Sequence, residues 1–554
     1  MSEPSVQILG PDGKALAPQR SRVSALSGGG GTPYDAADTY NEHLAGWRPF
    51  LWSPDAEINI FRDRIVSRVR DLVRNDGWAS AGVTRILDNA VGANFRPIAK
   101  PDYRALAAYT GNKAFDATWA DEFGRAAEAH YRMWANDPGH YCDLGRRLTM
   151  AQMMRLAFRH KLIDGDGLGI LHWRPERIGL GRGSYATTLQ LIDPDRLSNP
   201  QLAFDTQTRR GGVEIDEDGV AIGYWVRKAH QGDWWSAGQS MTWEFVPRET
   251  RTGRPIVVHD YDHERADQHR GGVGIFAPVL ARMKMLAHYD RVELDAAVVN
   301  SIFGAYIESP YDPSLVQDAL GDSAELGAYQ QMRADFHADK RLELGGTRVP
   351  ILMPGEKMNF QAAQRPSSNF EEFENTFLRN FAAATGLSAQ QLSNNWSDVN
   401  YSSARGALLE AWKTLSRRRV DFGVGFCTPI YSAFLEEVME YGELPLPNDA
   451  PSFLECRAAY SACKWMGPGR GWIDPVDERA GAILGLDACL STLEQEAAEN
   501  VGEDYEEILD QRAAEIKACQ ARGIPLPTWA NAAAAQAAAG PKDANETKTT
   551  PTPQ

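Results

Sequence analysis

Asn400-Tyr401-Ser402-Ser403-Ala404-Arg405 stands where a polar, turn-prone stretch, 387–401, gives way to a long helical pattern. From about residue 403, Leu408, Trp412, Leu415, Phe422 and Phe426 recur at spacings that place them on one helix face. Ser402 or Ser403 is suited to cap this helix, because a serine hydroxyl accepts one of the free N–H groups of a first turn. Arg405 then falls in that first turn, where the helix dipole disfavours a cation. The cost implies a specific partner for Arg405, a carboxylate or carbonyl near the start of the helix or on a neighbouring chain. Pro429 interrupts the pattern before it resumes through Phe434, Leu435 and Val438. Proline removes a helical hydrogen bond and clashes with the preceding turn, so a kink is expected there.

Upstream of the junction, Ser368 and Glu371 form a capping box at the head of a helix whose apolar face is Phe370, Phe373, Phe377 and Phe381, ended by Gly386. Residues 304–368 are mixed, with turns at Ser309-Pro310, Gly345-Gly346 and Pro354-Gly355. Residues 275–303 read as a helix with Phe276, Leu280, Met283, Ala287, Leu294 and Val298 on one face. Met283 and Met285 read as packing residues, not ligands. Between 166 and 262 the pattern is of strands: Leu189–Ile192, a hairpin of 213–215 and 220–222 around Asp216-Glu217-Asp218-Gly219, then 224–226 and 256–258. The first strong helix is 55–74, capped by Ser53 with Pro54 at its first position, its face formed by Ile58, Phe61, Ile65, Val69 and Leu72, and stopped by Asn75-Asp76-Gly77. Helical patterns follow at 79–90, 115–135 and 149–161, and 474–522 is helical and acidic. Residues 1–33, closing on a Gly-rich linker, read as a flexible arm, and 530–554 as a disordered tail. The fold class is therefore α+β: a β-rich subdomain inside a mostly helical body spanning about 34–529.

At 554 residues the chain suggests about three domains or subdomains. An apolar fraction of 43% and fifteen tryptophans mark a chain that folds rather than one that stays disordered. A net charge of −16 argues against tight duplex binding by the chain as a whole, since that depends on Lys and Arg neutralising phosphates. Six scattered cysteines include no CxxC pair, so free thiols are expected, not a zinc ribbon. The N-terminus lacks the order of a signal peptide, and no run of about 18 apolar residues predicts a membrane-spanning helix.

Motifs for chemistry are sparse. There is no GxxxxGK[ST] loop, which argues against an NTPase. The glycines at 165–169 and 179–183 lack nucleotide-binding spacing, and Gly238-Gln239-Ser240-Met241-Thr242 fails as a nucleophile elbow at its last position. The best metal-like cluster is His259, Asp260, Asp262, His263, Glu264, Asp267 and His269. If 256–263 is a strand, His259, Tyr261 and His263 share a face, but the spacing is not HExxH and a solvated polar turn is the simpler reading. Arg417-Arg418-Arg419 could meet phosphate, although such a run more often forms a solvated face. No catalytic residue, metal ligand or cofactor is assigned.

Several segments, in order, resemble the lambda-type family of tailed-phage portal proteins. They are Trp47-Arg48-Pro49; Arg70 to Asp76; Val91-Gly92-Ala93; His259 followed by Arg265-Ala266-Asp267-Gln268-His269-Arg270-Gly271, with Ala266-Asp267 where Pro-Gly is usual; Phe381 to Ser388; Asn400 to Arg405; and Trp472-Ile473-Asp474-Pro475 with Glu478 and Ala480. The resemblance implies a ring, expected to be a dodecamer, with wing, stem, clip and crown regions. By order along the chain, 34–274 would be wing, 275–303 and 369–386 stem helices, and 304–368 clip. Residues 387–402 would be a tunnel loop facing DNA, 403–480 the kinked wing helix with more wing, and 481–529 crown.

The loop residues Ser393, Asn394, Asn395, Trp396, Asp398 and Asn400 include no Lys or Arg, consistent with weak, sequence-blind contact with DNA sliding past. Tyr401, Ser402, Ser403, Arg405, Arg270, Trp472 and Asp474 are expected as family-motif or subunit-contact residues. The resemblance further implies a terminase motor, a major capsid or scaffold protein and a head–tail adaptor as partners. Double-stranded DNA would pass through the ring, with no membrane involved and a place at one capsid vertex of the virion after assembly in the host cytoplasm. The alternative from another class is a metal-dependent nuclease or processing enzyme using His259 and His263.

Overall fold

The computed structural model describes residues 46–302, 370–397 and 399–525, with residues 36, 43–44, 306–308, 327–328, 331–332, 335–336, 341–344, 347–350 and 357–359. The arm 1–33, the tail 530–554, most of 304–368, Ser368 of the expected capping box and Asp398 lie outside the described residues.

Ser53 caps the first helix, Pro54–Asn59, by accepting from the Ala56 amide at 3.4 Å. The helix does not run on to residue 74. It breaks at Ile60-Phe61, and a second helix, Arg62–Asn75, begins with a side chain that is only 1% exposed. Burying Arg62 turns the face, so that Val66, Val69, Leu72 and Val73 meet the core while Phe61 is left exposed. Asp76 ends this helix and caps the next, Gly77–Ala90, accepting from the Ala79 amide at 2.9 Å. Ala117–Ala135 and Met150–Asp164 follow. The latter opens on a Thr149/Gln152 capping box and closes at Gly165, whose φ of 88° is open to glycine.

That turn feeds directly into the strand Asp166–Trp173, the centre of a three-stranded antiparallel sheet between Thr187–Leu191 and Val257–Tyr261. A second antiparallel sheet runs in the order Arg209–Arg210, Val213–Ile215, Ala221–Arg227, Trp243–Pro247. Its hairpin is the one expected: Asp216 accepts from the amides of Asp218 and Val220, and Gly219 takes φ 81°. Residues 224–226 are no separate strand; they continue 221–223. Leu168, Ile170, Val213, Tyr224, Val226 and Val257 form the core of this β subdomain.

The larger core gathers both ends of the chain. Trp134 stacks on Phe434 at 4.6 Å, and Phe158 packs on Phe422 at 5.0 Å. Arg96–Ala99 pairs with Cys463–Met466. The helices Leu280–Ile302 and Phe370–Thr385 lie together, with Phe276 stacked on Phe381 at 5.3 Å and Tyr289 edge-on to Phe373 at 5.1 Å. Between them, Arg341–Leu344 pairs with Thr347–Pro350, and Tyr306–Glu308 with Lys357–Asn359.

The long helix differs from expectation at its centre. Tyr401–Phe422 passes through one π-helical turn, Gly423–Cys427, into Thr428–Glu440, so the irregularity precedes Pro429 instead of forming a kink at it. Proline offers no N–H to the carbonyl four residues back, and a wide turn absorbs the mismatch. The Thr428 hydroxyl and amide both donate to the Gly423 carbonyl. Glycine is required twice here, because a Cβ at 423 would meet the Trp465 ring at 2.8 Å and one at 425 would overlap Asp260.

One buried carboxylate ties helix, sheet and loop together. Asp166 has no solvent exposure and receives the Arg62 Nη2 at 3.3 Å, Arg270 Nε at 3.2 Å, His259 Nε2 at 2.8 Å and the Gly271 amide at 2.7 Å. Burial by itself would raise its pKa; the His259 hydrogen bond and the charges of Arg270, His259 and Arg62 instead hold it well below the usual carboxylate range. Asp166→Ala should therefore cost about 3–5 kcal/mol in urea unfolding, because it removes the carboxylate that the buried guanidinium groups of Arg62 and Arg270 share. Since the folded-state pKa is depressed, the stabilisation is complete above the unfolded value of about 3.9 and is lost as pH falls through the folded value. Acid titration of unfolding below about pH 4 should accordingly be steeper for the parent protein than for Asp166→Ala.

Candidate functional site

The loop-to-helix junction begins at Gly386, where φ is 74° and a Cβ would strike Thr414 at 2.7 Å. Ser388 and Gln391 then form a capping box for a short helix, Ala389–Ser393. Leu392 on it is buried, close to Gly82 and Phe381. Five residues of the stretch expected to be irregular thus form a packed helical turn, for which the sequence signal was the Ser-x-x-Gln spacing. Asn394 follows in the left-handed region, φ 53°, and its Oδ1 accepts from Arg85 Nη2 at 2.8 Å. Asn395 Oδ1 accepts from the Ser397 amide at 3.1 Å and hydroxyl at 2.6 Å, and Trp396 is 37% exposed.

Asn400, not Ser402 or Ser403, caps the long helix. Its extended backbone aims Oδ1 at the Ser403 amide, 2.9 Å away, so both serines already lie inside the first turn. Asparagine caps as well as serine, and one residue of extended chain decided between them. Tyr401 projects outward, 46% exposed.

Arg405 does have a carboxylate partner, but from a distant part of the same chain. Its Nε lies 3.6 Å from Glu478 Oε1, with side-chain exposures of 46% and 6%. Glu478 sits in the first turn of Asp477–Asp487, and its Oε2 accepts from the Ile473 amide at 3.4 Å. Asp474 accepts from the amides of Val476 and Asp477, and Trp472 lies under the Arg479 guanidinium at 5.7 Å. Two motifs more than seventy residues apart in sequence therefore meet, around a polar pocket of about 270 Å³ lined by Arg405, Arg470, Trp472, Glu478, Glu496 and Asn500.

Arg417-Arg418-Arg419 is only one-third a solvated face. Arg417 is exposed and pairs with Asp421. Arg418 donates to the Thr385 carbonyl at 2.9 Å, and Arg419 to those of Asn89, Ala90 and Pro468. Thr385 and Ala90 end helices, whose last carbonyls lack partners and carry partial negative charge, so the two arginines act as C-terminal caps. Burial lowers the pKa of Arg419 to about 10.

The histidine cluster does not converge on a common point. His259 is committed to Asp166 and His269 to Asp55, at 2.8 Å each, while Asp260 and Asp262 both accept the Lys161 ammonium. His263 lies against the Tyr261 ring at 4.3 Å. Among the described residues, the carboxylate–histidine group close enough for a metal is Asp193, Asp195 and His230, and Arg70 already holds both carboxylates, at 3.2 and 2.6 Å. Arg270 likewise is not a surface contact: its guanidinium also donates to the carbonyls of Gly211 and Pro194, and burial lowers its pKa to about 10.

The anchors that pattern reading missed are Arg62, Arg70, Asp166 and Glu437. Glu437 accepts from the Ala186 and Thr187 amides and the Thr187 hydroxyl. An acid within the otherwise apolar run 430–439, and one between glycines at 165–167, were the available signals.

Removing either junction contact should have modest, additive effects on urea unfolding. Asn400→Ala should cost about 1 kcal/mol as a lost cap. Arg405→Ala should cost about 1 kcal/mol, discounted for the exposure of the arginine, and Glu478→Gln in the same chain should recover most of it, since an uncharged amide no longer needs the cation.

In sequence, residues 40–419, more than half of the chain, match the pattern described as "Phage portal protein, lambda family". The chain is 33% identical over 546 residues to "Portal protein" of Escherichia phage N15, covering 97% of each. It is 32% identical over 546 residues to "Portal protein B" of Escherichia phage lambda, covering 96% of each. A chain of the solved structure "Virion of native gene transfer agent (GTA) particle" is 14% identical, with a TM-score of 0.41, covering 82% of this chain and 96% of that one. The chain belongs to the lambda family of phage portal proteins.

Proposed function

We propose that copies of this chain close into a ring of twelve at one capsid vertex, a structural channel through which double-stranded DNA enters during packaging and leaves on ejection. The observation that carries the reading is likeness to a portal protein along 97% of the chain. Membership of this family also accounts for surfaces that a lone subunit leaves bare. Met285, Val292 and Leu294 on Leu280–Ile302 are 64, 47 and 67% exposed, and the helices Asp477–Asp487 and Tyr505–Arg522 bury no residue at all. A ring offers each of these a neighbour, because a heterologous contact uses two different surfaces of every subunit.

On this reading 34–274 and 403–480 form the wing, 275–303 and 369–386 the stem, 304–368 the clip and 481–529 the crown. The DNA-facing loop lies within 387–402. Its partners are the terminase motor at packaging, the capsid or scaffold protein around the ring, and a head–tail adaptor below. The virion is its place, after assembly in the host cytoplasm. The residues from 393 to 400 carry no cation. A cationic surface would hold phosphates by displacing their counterions and let go only at high salt, whereas amide, hydroxyl and indole groups let the duplex slide.

Negative-stain microscopy of the purified protein should show rings with a central pore; a monodisperse monomer under all assembly conditions overturns the reading. Deleting 395–398, which spares the Asn400 cap, should leave rings intact and reduce the DNA retained in particles several-fold. Full retention would remove the loop from the channel.

A further inference from the structure

We infer that Arg85 is a positioning residue that latches the DNA-facing loop, and that Asn394 divides this loop into a fixed base and a short exposed tip. The inference rests on the channel reading given above only for its consequence; the latch itself follows from geometry.

The base is fixed from several directions. Gly386 brings the chain against Thr414, the Ser388/Gln391 box satisfies the first amides of Ala389–Ser393, and Leu392 is buried beside Gly82 and Phe381. Ser393 adds a bond from its hydroxyl to the Ala389 carbonyl at 2.9 Å. Beyond Asn394, the hydrogen bonds made by the described residues 395–397 are local, and the Asn395 amide donates to the Ser393 hydroxyl at 3.2 Å. Asn395 and Ser397 bond to each other, the Val399 amide donates to the Trp396 carbonyl at 3.3 Å, and residues 395–397 are exposed. The chain is fixed again at the Asn400 cap. The tip is therefore the five residues 395–399, held at both ends by asparagine side chains.

The two asparagines differ in what they hold. Asn400 bonds within its own helix, whereas Asn394 bonds 309 residues away in sequence, to a guanidinium on Gly77–Ala90. This is a charge-assisted hydrogen bond made by a residue in a conformation that few side chains other than asparagine and glycine adopt readily. The same residue thus sets the chain direction entering the tip and ties that direction to the neighbouring helix. Arg85 is half-buried on this helix, and its guanidinium reaches Asn394 at 2.8 Å. A five-residue tip spans at most about 17 Å when extended, so where its base points decides how far it can reach.

Four variants of the assembled ring separate the latch from local backbone strain. Asn394→Gly keeps the left-handed turn and removes the side chain; Asn394→Asp keeps both and makes the partner a full anion. Arg85→Ala removes the donor, and Arg85→Lys keeps a cation without the fork. In amide hydrogen exchange on purified rings, Arg85→Ala and Asn394→Gly should each speed exchange across 388–397 about fivefold, and the double variant should exceed neither. Asn394→Asp should match or slow the parent, and Arg85→Lys should fall between. Unchanged exchange in Arg85→Ala, or additive effects in the double variant, overturns the latch. The DNA content of particles built with the same variants then tests the consequence. Faster exchange with reduced DNA retention supports latch and channel loop together. Faster exchange with full retention keeps the latch and overturns the channel role of the loop.

Discussion

A carboxylate without solvent exposure costs several kcal/mol to bury unless its charge and lone pairs are met. Asp166 is met four times, by Arg62, Arg270, His259 and the Gly271 amide. These partners come from a helix, a loop, a strand and a glycine whose missing side chain leaves room for the Gly165 carbonyl. The charged groups could not be buried singly at acceptable cost, so the helix, the strand and the loop that carries both Arg270 and Gly271 must meet the strand of Asp166 together. Arg62 passes the constraint on to Asp195, which also receives Arg70, and Arg70 reaches Asp164 at the end of Met150–Asp164. The seam between the helical body and the β subdomain therefore adds a specific polar network to the apolar packing of Leu171, Leu189 and Val258 in the larger core.

The helices behind the loop at 387–400 are joined by a second device. Arg418 and Arg419 project from one long helix onto the closing carbonyls of two others, one ending at Thr385 and one at Ala90. The loop leaves from the first of these ends and returns to the helix that bears both arginines. Because the arginines fix the two helices relative to each other, the loop between them has fixed endpoints. The Arg405–Glu478 pair adds the acidic C-terminal helices to the same platform.

Much of this was legible in the chain. The Ser53-Pro54 start, the Asp216–Gly219 hairpin, the β-rich stretch inside a helical body and the junction at residues 400–405 rest on local rules of capping, turn geometry and side-chain periodicity. Errors arose where a local rule offered near-equal choices. Asn400, Ser402 and Ser403 are all competent caps, and only the direction of the incoming chain selects one. Proline at 429 required an irregularity, but two glycines packed against Trp465 and Asp260 decided its position and form. Three consecutive arginines looked alike because periodicity does not report which of them faces a carbonyl.

The sequence by itself determined the fold class, the family and the polar character of the loop, free of Lys and Arg, since these follow from composition, short-range pattern and motifs in order. The tertiary structure alone decided the partners: Arg405 with Glu478, Arg85 with Asn394, and Asp166 with its four donors. The physical reason is that charges and hydrogen-bonding groups act over a few ångströms in space whatever their separation along the chain. Residues 73 and 309 positions apart carry no common signal until folding brings them into contact.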